Sequence, residues 1–232
     1  MNNINRILPN PEQYASCPYD ENILEFYKGQ FEAAYVLLHP FGRLKNGYAE
    51  HVNTAEMLSK HELVQNYESI SWQSVIDSTN LNTVSEIDIG LRTNIRGLRK
   101  DLENQEYAKA LNELTKTSGI WQPGEGELSQ FLENDLFEAI KALGHTWLWI
   151  GDQFGTERKL HWIDDLIRED EIPVHGCVFA HDHSLLITTH WDSHYSLLCS
   201  SLANIEKILA THPFEGFYCT DKTEVYWSVW GI

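Results

Sequence analysis

Four histidines fall between positions 181 and 194: His181, His183, His190 and His194, with Asp182 and Asp192 interleaved. Imidazole nitrogens and a carboxylate are a ligand set that zinc or iron accepts. In an extended strand residues two apart share a face, so His190, Asp192 and His194 would present two imidazoles and a carboxylate together, as a metal-dependent hydrolase requires. Turn chemistry competes with this reading. Asp192-Ser193 and His181-Asp182-His183-Ser184 are rich in residues that hydrogen-bond their own backbone in turns, and a turn at Asp192 breaks the shared face. The spacing matches no His-Glu-x-x-His pattern. The His181-Asp182 pair matches a phosphohydrolase dipeptide only as letters, because those enzymes carry it on helices. The group is therefore either a zinc-type site or a pair of polar turns.

A second set is basic. Arg92, Arg96 and Arg99, spaced by four and three, form one stripe on an expected helix. Guanidinium groups on one face can hold a phosphate or carboxylate through forked hydrogen bonds. Asp88 and Glu103 stand four residues from Arg92 and Arg99, the spacing of ordinary surface ion pairs, so the stripe can equally be a self-paired face or an internal clamp. The third set is aromatic: Trp147 and Trp149, preceded by His145, alternate along an expected strand. Such a face can stack on sugars or bases, or it can fill a core between sheet and helices. Gly-x-Ser-x-Gly, Gly-x-x-x-x-Gly-Lys and Gly-x-Gly-x-x-Gly do not occur, which removes the usual support for acyl hydrolases, nucleotide hydrolases and dehydrogenases.

The chain has 232 residues, 42% hydrophobic and 22% charged, with 34 acids against 17 Lys and Arg and a formal charge of -17. That charge repels nucleic acid and anionic lipid and favours a basic protein or a small molecule. It is also uneven: residues 1–120 carry net -5 and residues 121–232 carry net -12, together with eight of the 11 histidines. No apolar run approaches the roughly 18 residues of a membrane span, and no basic-then-apolar leader opens the chain, so the expectation is a cytoplasmic protein. Four scattered cysteines, without a Cys-x-x-Cys pair, read as buried free thiols.

These side chains need elements to hold them. Thr83-Val84-Ser85-Glu86 is a capping box, and Ile87, Leu91, Ile95, Leu98 and Leu102 follow on one face, which predicts a helix over 85–104. Shorter helices are expected at 54–66, 72–78 and 106–116, and another from Leu128 to Leu143 with Gly144 as its left-handed end. Ala33 to Leu38 reads as a strand entering a turn at His39-Pro40-Phe41-Gly42. From His145 the period becomes two, with an aromatic and an aliphatic face. Leu160, Ile163 and Ile167 suggest a short acidic helix. Segments 174–180, 185–191 and 194–200 predict an antiparallel meander with tight turns. Ser201 caps a further helix, and Phe214 to Cys219 reads as a last strand.

The expected class is α+β, a helical N-terminal part packed on a largely antiparallel sheet from the C-terminal half. The chain reads as one domain, 1–232, with two lobes as an alternative: 1–118 mainly helical and 127–232 β-rich, acidic and rich in His and Trp. Between them Ser118 to Gly126 forms a turn-rich loop in which Ile120 and Trp121 look like a packing anchor.

Three stretches carry a resemblance: Ala33-Ala34-Tyr35-Val36-Leu37-Leu38-His39-Pro40-Phe41, Trp191-Asp192-Ser193-His194-Tyr195-Ser196-Leu197-Leu198, and Phe214-Glu215-Gly216-Phe217-Tyr218-Cys219 ahead of Thr223 and Trp227. Together they resemble an uncharacterised family of bacterial proteins, mostly from Bacillus-like Gram-positive organisms, known only as a domain of unknown function. The resemblance implies a cytoplasmic bacterial protein and assigns no residue a role. The leading expectation is a non-enzymatic binding protein, of inhibitor or immunity kind, that engages a basic partner through its acidic second part and needs no cofactor. The alternatives are a metal-dependent hydrolase on the His/Asp cluster and a small-ligand module with a Trp-lined face.

Overall fold

The protein is described by a computed structural model over residue 10 and residues 12–45, 59–169 and 176–231. Its centre is a seven-stranded sheet in the order β10-β1-β9-β8-β7-β5-β6. The strands are β1 (Ala33–Leu38), β5 (Trp147–Gly151), β6 (Arg158–Trp162), β7 (Cys177–Ala180), β8 (Leu185–Thr189), β9 (Tyr195–Ser200) and β10 (Gly216–Tyr218). Every neighbouring pair is antiparallel. A smaller sheet, β3-β2-β4, is built from β2 (Phe41–Leu44), β3 (Tyr67–Ile70) and β4 (Ile120–Trp121). The α+β expectation and the meander of β7, β8 and β9 both hold.

An antiparallel sheet usually alternates apolar and polar because one face meets water. Here β7, β8 and β9 are buried at every position, since helices cover both faces. On one face Val36, Phe179, Leu186 and Leu197 pack against α3 (Trp72–Ser78), α4 (Val84–Ile95), α5 (Gln105–Ser118) and α9 (Trp227–Trp230) through Trp72, Ile87, Leu111 and Trp227. On the other, Leu37, Leu148, Val178 and Leu198 meet α6 (Gln130–Ala142), α7 (Ile163–Arg168) and α8 (Leu202–Thr211) through Phe137, Ile163 and Ile205. The period-two reading of β5 is explained by this: Leu148 and Ile150 enter the second core, while Trp149 packs on the first. β1, from the first half of the chain, lies between β10 and β9, so both halves share one sheet. Among the described residues no helix is long and apolar enough to cross a membrane.

Several expected elements shift. The helix over 85–104 stops at Ile95, because Arg96 is left-handed (φ 61°) and the Gly97 N–H turns back to Arg92 O at 2.9 Å. Apolar spacing continued to Leu102, but Gly97 seats the chain on Asp192, where a Cβ would stand 3.1 Å from the Asp192 Cβ. The capping box is half formed: Thr83 Oγ1 accepts from Glu86 N, while the Glu86 carboxylate accepts from Asn82 N at 2.6 Å. Of the helix expected at 54–66, α2 (Lys60–Asn66) is present and 54–58 lie outside the described residues. Leu160 belongs to β6, not to the helix after it, and Phe41 and Gly42 belong to β2, leaving only His39 and Pro40 between the two sheets. All four cysteines are free; Cys17, Cys177 and Cys199 are buried.

Candidate functional site

The polar residues of the core gather where β1, β8 and β9 end. His39 leaves β1 with its N–H bonded to His194 O at 3.0 Å, and its carbonyl accepts from Trp72 Nε1 at 2.7 Å. Its Nε2 lies 2.8 Å from Ser196 Oγ, which lies 2.6 Å from Thr189 Oγ1. Between β8 and β9 the turn His190 to His194 closes on itself: Asp192 N donates to His190 Nδ1, and Ser193 Oγ donates to the carbonyls of His190 and Tyr195. The turn expected at Asp192-Ser193 is therefore real, and it does break the face that the metal reading needed.

Over this turn lies Arg92. It is fully buried, with Nε on Asp88 Oδ2 at 2.8 Å and Nη2 on Val225 O at 3.1 Å, and its guanidinium stands 4.7 Å from the Tyr226 ring. Asp88 Oδ2 also accepts from Ser228 Oγ at 2.5 Å. Spacing pointed to this pair as a surface pair; the helix instead turns it inward, where Asp88 neutralises what burial would otherwise expel. Burial, and then the Arg92 charge, push the His190 imidazole down to about 3 and hold His194 well below its usual range. Burial pushes His39 down to about 3 as well, with the Gly124 main chain opposing. These histidines are neutral hydrogen-bonding groups at neutral pH. Ser196 Oγ is fully buried beside His39.

A cavity of about 640 Å³ opens beside the turn, where the chain passes from the large sheet to the small one. This is within the roughly 300–1,000 Å³ typical of small-molecule sites. Pro40, Ile95, Trp121, Leu128 and Phe131 give it apolar walls, and Gln122, Glu125, Glu127, Gln130 and His194 supply polar groups. Trp121, the anchor suspected from sequence, lies flat on β2: a Cβ at Gly42 would fall 2.4 Å from its ring, so only glycine admits it. It meets Phe131 at 6.3 Å and Tyr67 at 5.1 Å between ring centroids. Gly126 ties the cavity loop to the turn by donating to Ser193 O at 3.1 Å, with φ at +77°. His194 is 2% exposed and forms part of the wall, and its Nδ1 has no hydrogen-bond partner among the described residues. An unmet buried polar atom costs about 1–3 kcal/mol, so such atoms mark places where water or a ligand belongs.

The other candidates lie elsewhere. His181 and His183 sit in the turn between β7 and β8, at the opposite end of β8 from His190 and His194, so the four histidines do not form one group. His181 Nδ1 accepts from Trp149 Nε1 at 3.1 Å, and His183 stacks on Tyr14 at 3.6 Å. Among the described residues no three His, Cys, Asp or Glu side chains are placed to hold a metal ion. Trp147 is 43% exposed and pairs with Trp162 at 5.4 Å, while Trp149 stacks on Phe179. The arginine stripe dissolves: Arg92 is in the core, Arg96 closes α4, and Arg99 pairs with Asp101 in solvent, not with Glu103. Sequence spacing missed His39 and Glu127, because the cavity joins positions near 40, 121–131 and 194.

Comparison with known proteins gives relatives but no chemistry. The chain is 21% identical over 212 residues to a protein of Bacillus subtilis (strain 168) described as the uncharacterized protein YwbB, covering 88% of this chain and 94% of that one. No solved structure matches it. Residues 19–229 match a family described as protein of unknown function, DUF2711, and since this spans the sheet, both helical layers and the cavity, the chain belongs to the DUF2711 family.

Proposed function

We propose that the protein is a small-ligand-binding protein whose site is the cavity between the two sheets. The reading keeps the ligand-module alternative of the sequence but moves it from the Trp147/Trp149 face to Trp121 and Phe131. One observation carries it: His194, buried and held neutral, forms part of the wall of a 640 Å³ cavity with an unpartnered Nδ1. A ligand that fills the cavity covers the aromatic surface of Trp121 and Phe131 beside this imidazole. The test compares the wild type with Gly124→Trp. Gly124 lines the cavity and a Cβ there meets nothing within 4 Å, so an indole can be added at its wall without a clash at the Cβ. Thermal-shift screening of a metabolite-sized library should yield ligands of the wild type that Gly124→Trp no longer binds. If every ligand found binds both proteins equally, the cavity is not the site.

A second reading, engagement of a basic protein, is favoured by the net charge of -12 on residues 121–232 and by the exposed Glu125 and Glu127 along the cavity. Such association is steered by charge and weakens with salt. A pull-down at low salt that yields no partner eluting as salt rises would remove it.

A further inference from the structure

The chemistry of the cavity wall says what kind of molecule would fit. None of the described residues that line it is a lysine or an arginine, whereas Glu125 and Glu127 both do. The buried cations Arg92 and Lys60 are not part of the described wall: Arg92 turns its Nε and Nη2 to Asp88 and Val225 O, and Lys60 donates to Leu166 O. Trp121 and Phe131 meet at 57° and form an aromatic corner, whose ring faces attract positive charge. His194 adds a neutral imidazole, which can accept a hydrogen bond from an N–H donor and does not repel a cation. Among the described residues of the wall, a carboxylate or phosphate ligand would meet the like charge of Glu127 and no lysine or arginine. From the conjunction of the Glu127 carboxylate, the aromatic corner and the His194 imidazole in one wall we infer that the cavity receives a small organic cation, an ammonium group on an apolar body. This rests on the small-ligand reading of the same cavity.

The probes are matched triads in which one body, phenethyl, cyclohexylethyl or butyl, carries an amine, a hydroxyl or a carboxylate. Binding is read by ligand-observed NMR and titrated by Trp fluorescence on the wild type, Gly124→Trp, Glu127→Gln and His194→Phe. The expected result is that the amines bind at least tenfold more tightly than their alcohols and acids. Gly124→Trp should abolish that binding, and Glu127→Gln and His194→Phe should each weaken it about tenfold, the equivalent of 1.4 kcal/mol. Should His194→Phe fail to fold, Glu127→Gln carries the test alone, since Glu127 is exposed. If alcohols or acids bind as tightly as the amines, and Gly124→Trp blocks them, the cation is wrong while the cavity stands. If no triad member binds in a way that Gly124→Trp abolishes, the inference fails; library ligands that Gly124→Trp blocks would still uphold the cavity.

Discussion

At one end of β8 the chain turns through His181-Asp182-His183-Ser184, and at the other through His190-Trp191-Asp192-Ser193-His194. The residue types are nearly the same. In the first turn both imidazoles are exposed, Asp182 caps Ser184 N at 3.1 Å, and aromatic rings stack on the outside. In the second, His190 and His194 are 1% and 2% exposed, under Arg92 and beside a cavity. What separates them is the cover: α4 brings the buried Arg92–Asp88 pair close enough to the second turn for its charge to act on His190 and His194, and Gly97 beyond it packs on Asp192. A His/Asp motif thus has no environment of its own; the covering layer decides whether it is a solvated turn or a buried one.

The strongest way to break this comparison is to remove the cover. Arg92→Met should cost about 3–5 kcal/mol in urea unfolding, because Asp88 is left as an uncompensated buried charge and Val225 O keeps only the Tyr195 hydroxyl of its two donors. A loss under about 1 kcal/mol would mean that Asp88 does not depend on the guanidinium for its burial. Acid offers the next largest effect. His39 and His190 titrate near 3 when folded against 6.5 in the open chain, so folding favours their neutral forms. That stability is complete above 6.5 and is lost as pH falls toward 3, which at pH 5 is about 2 kcal/mol for each. Unfolding measured between pH 7.5 and 5 should show this loss.

A carboxylate supplies a control of opposite sign. Burial, opposed by Lys60 at 3.7 Å, raises Glu133 to about 7 from 4.5. Its folded form prefers the proton, so its contribution is complete below 4.5 and is lost as pH rises through 7. Between pH 5 and 7.5 this amounts to about 2.4 kcal/mol and partly masks the histidines. Glu133→Gln should therefore steepen the acid loss by about that amount; an unchanged pH slope would exclude the assignment. The smallest effect is expected at the exposed turn, where His181→Ala and His183→Ala should each change stability by less than about 1 kcal/mol.

Which parts were legible follows from the same contrast. Thr83, the Ile87-to-Ile95 stripe, the meander and the packing role of Trp121 are set by local caps, periodicity and turn residues, and they were readable. The end of α4 was not, because Arg96 and Gly97 obey a contact with Asp192 almost a hundred positions away. Asp88 and Arg92 carried a correct spacing but the wrong exposure, since polarity patterns assign charged residues to the surface. β6, written Arg-Lys-Leu-His-Trp, has too few apolar positions to show a period. The cavity was invisible for a topological reason: it is assembled from a strand exit, a loop and a turn that only the finished sheet brings together.

The position of β1 has a consequence in time. Its partners, from Tyr195 to Ser200 and from Gly216 to Tyr218, are made last, although β1 itself lies near the start. At roughly 5–20 residues per second, the ribosome needs on the order of 10–35 s to deliver them. Through that interval this interior strand of the large sheet, Ala-Ala-Tyr-Val-Leu-Leu, has neither edge paired. A nascent chain of this protein is therefore a client for whatever shields apolar strands during synthesis, and its resistance to protease should appear abruptly, only once β10 has emerged.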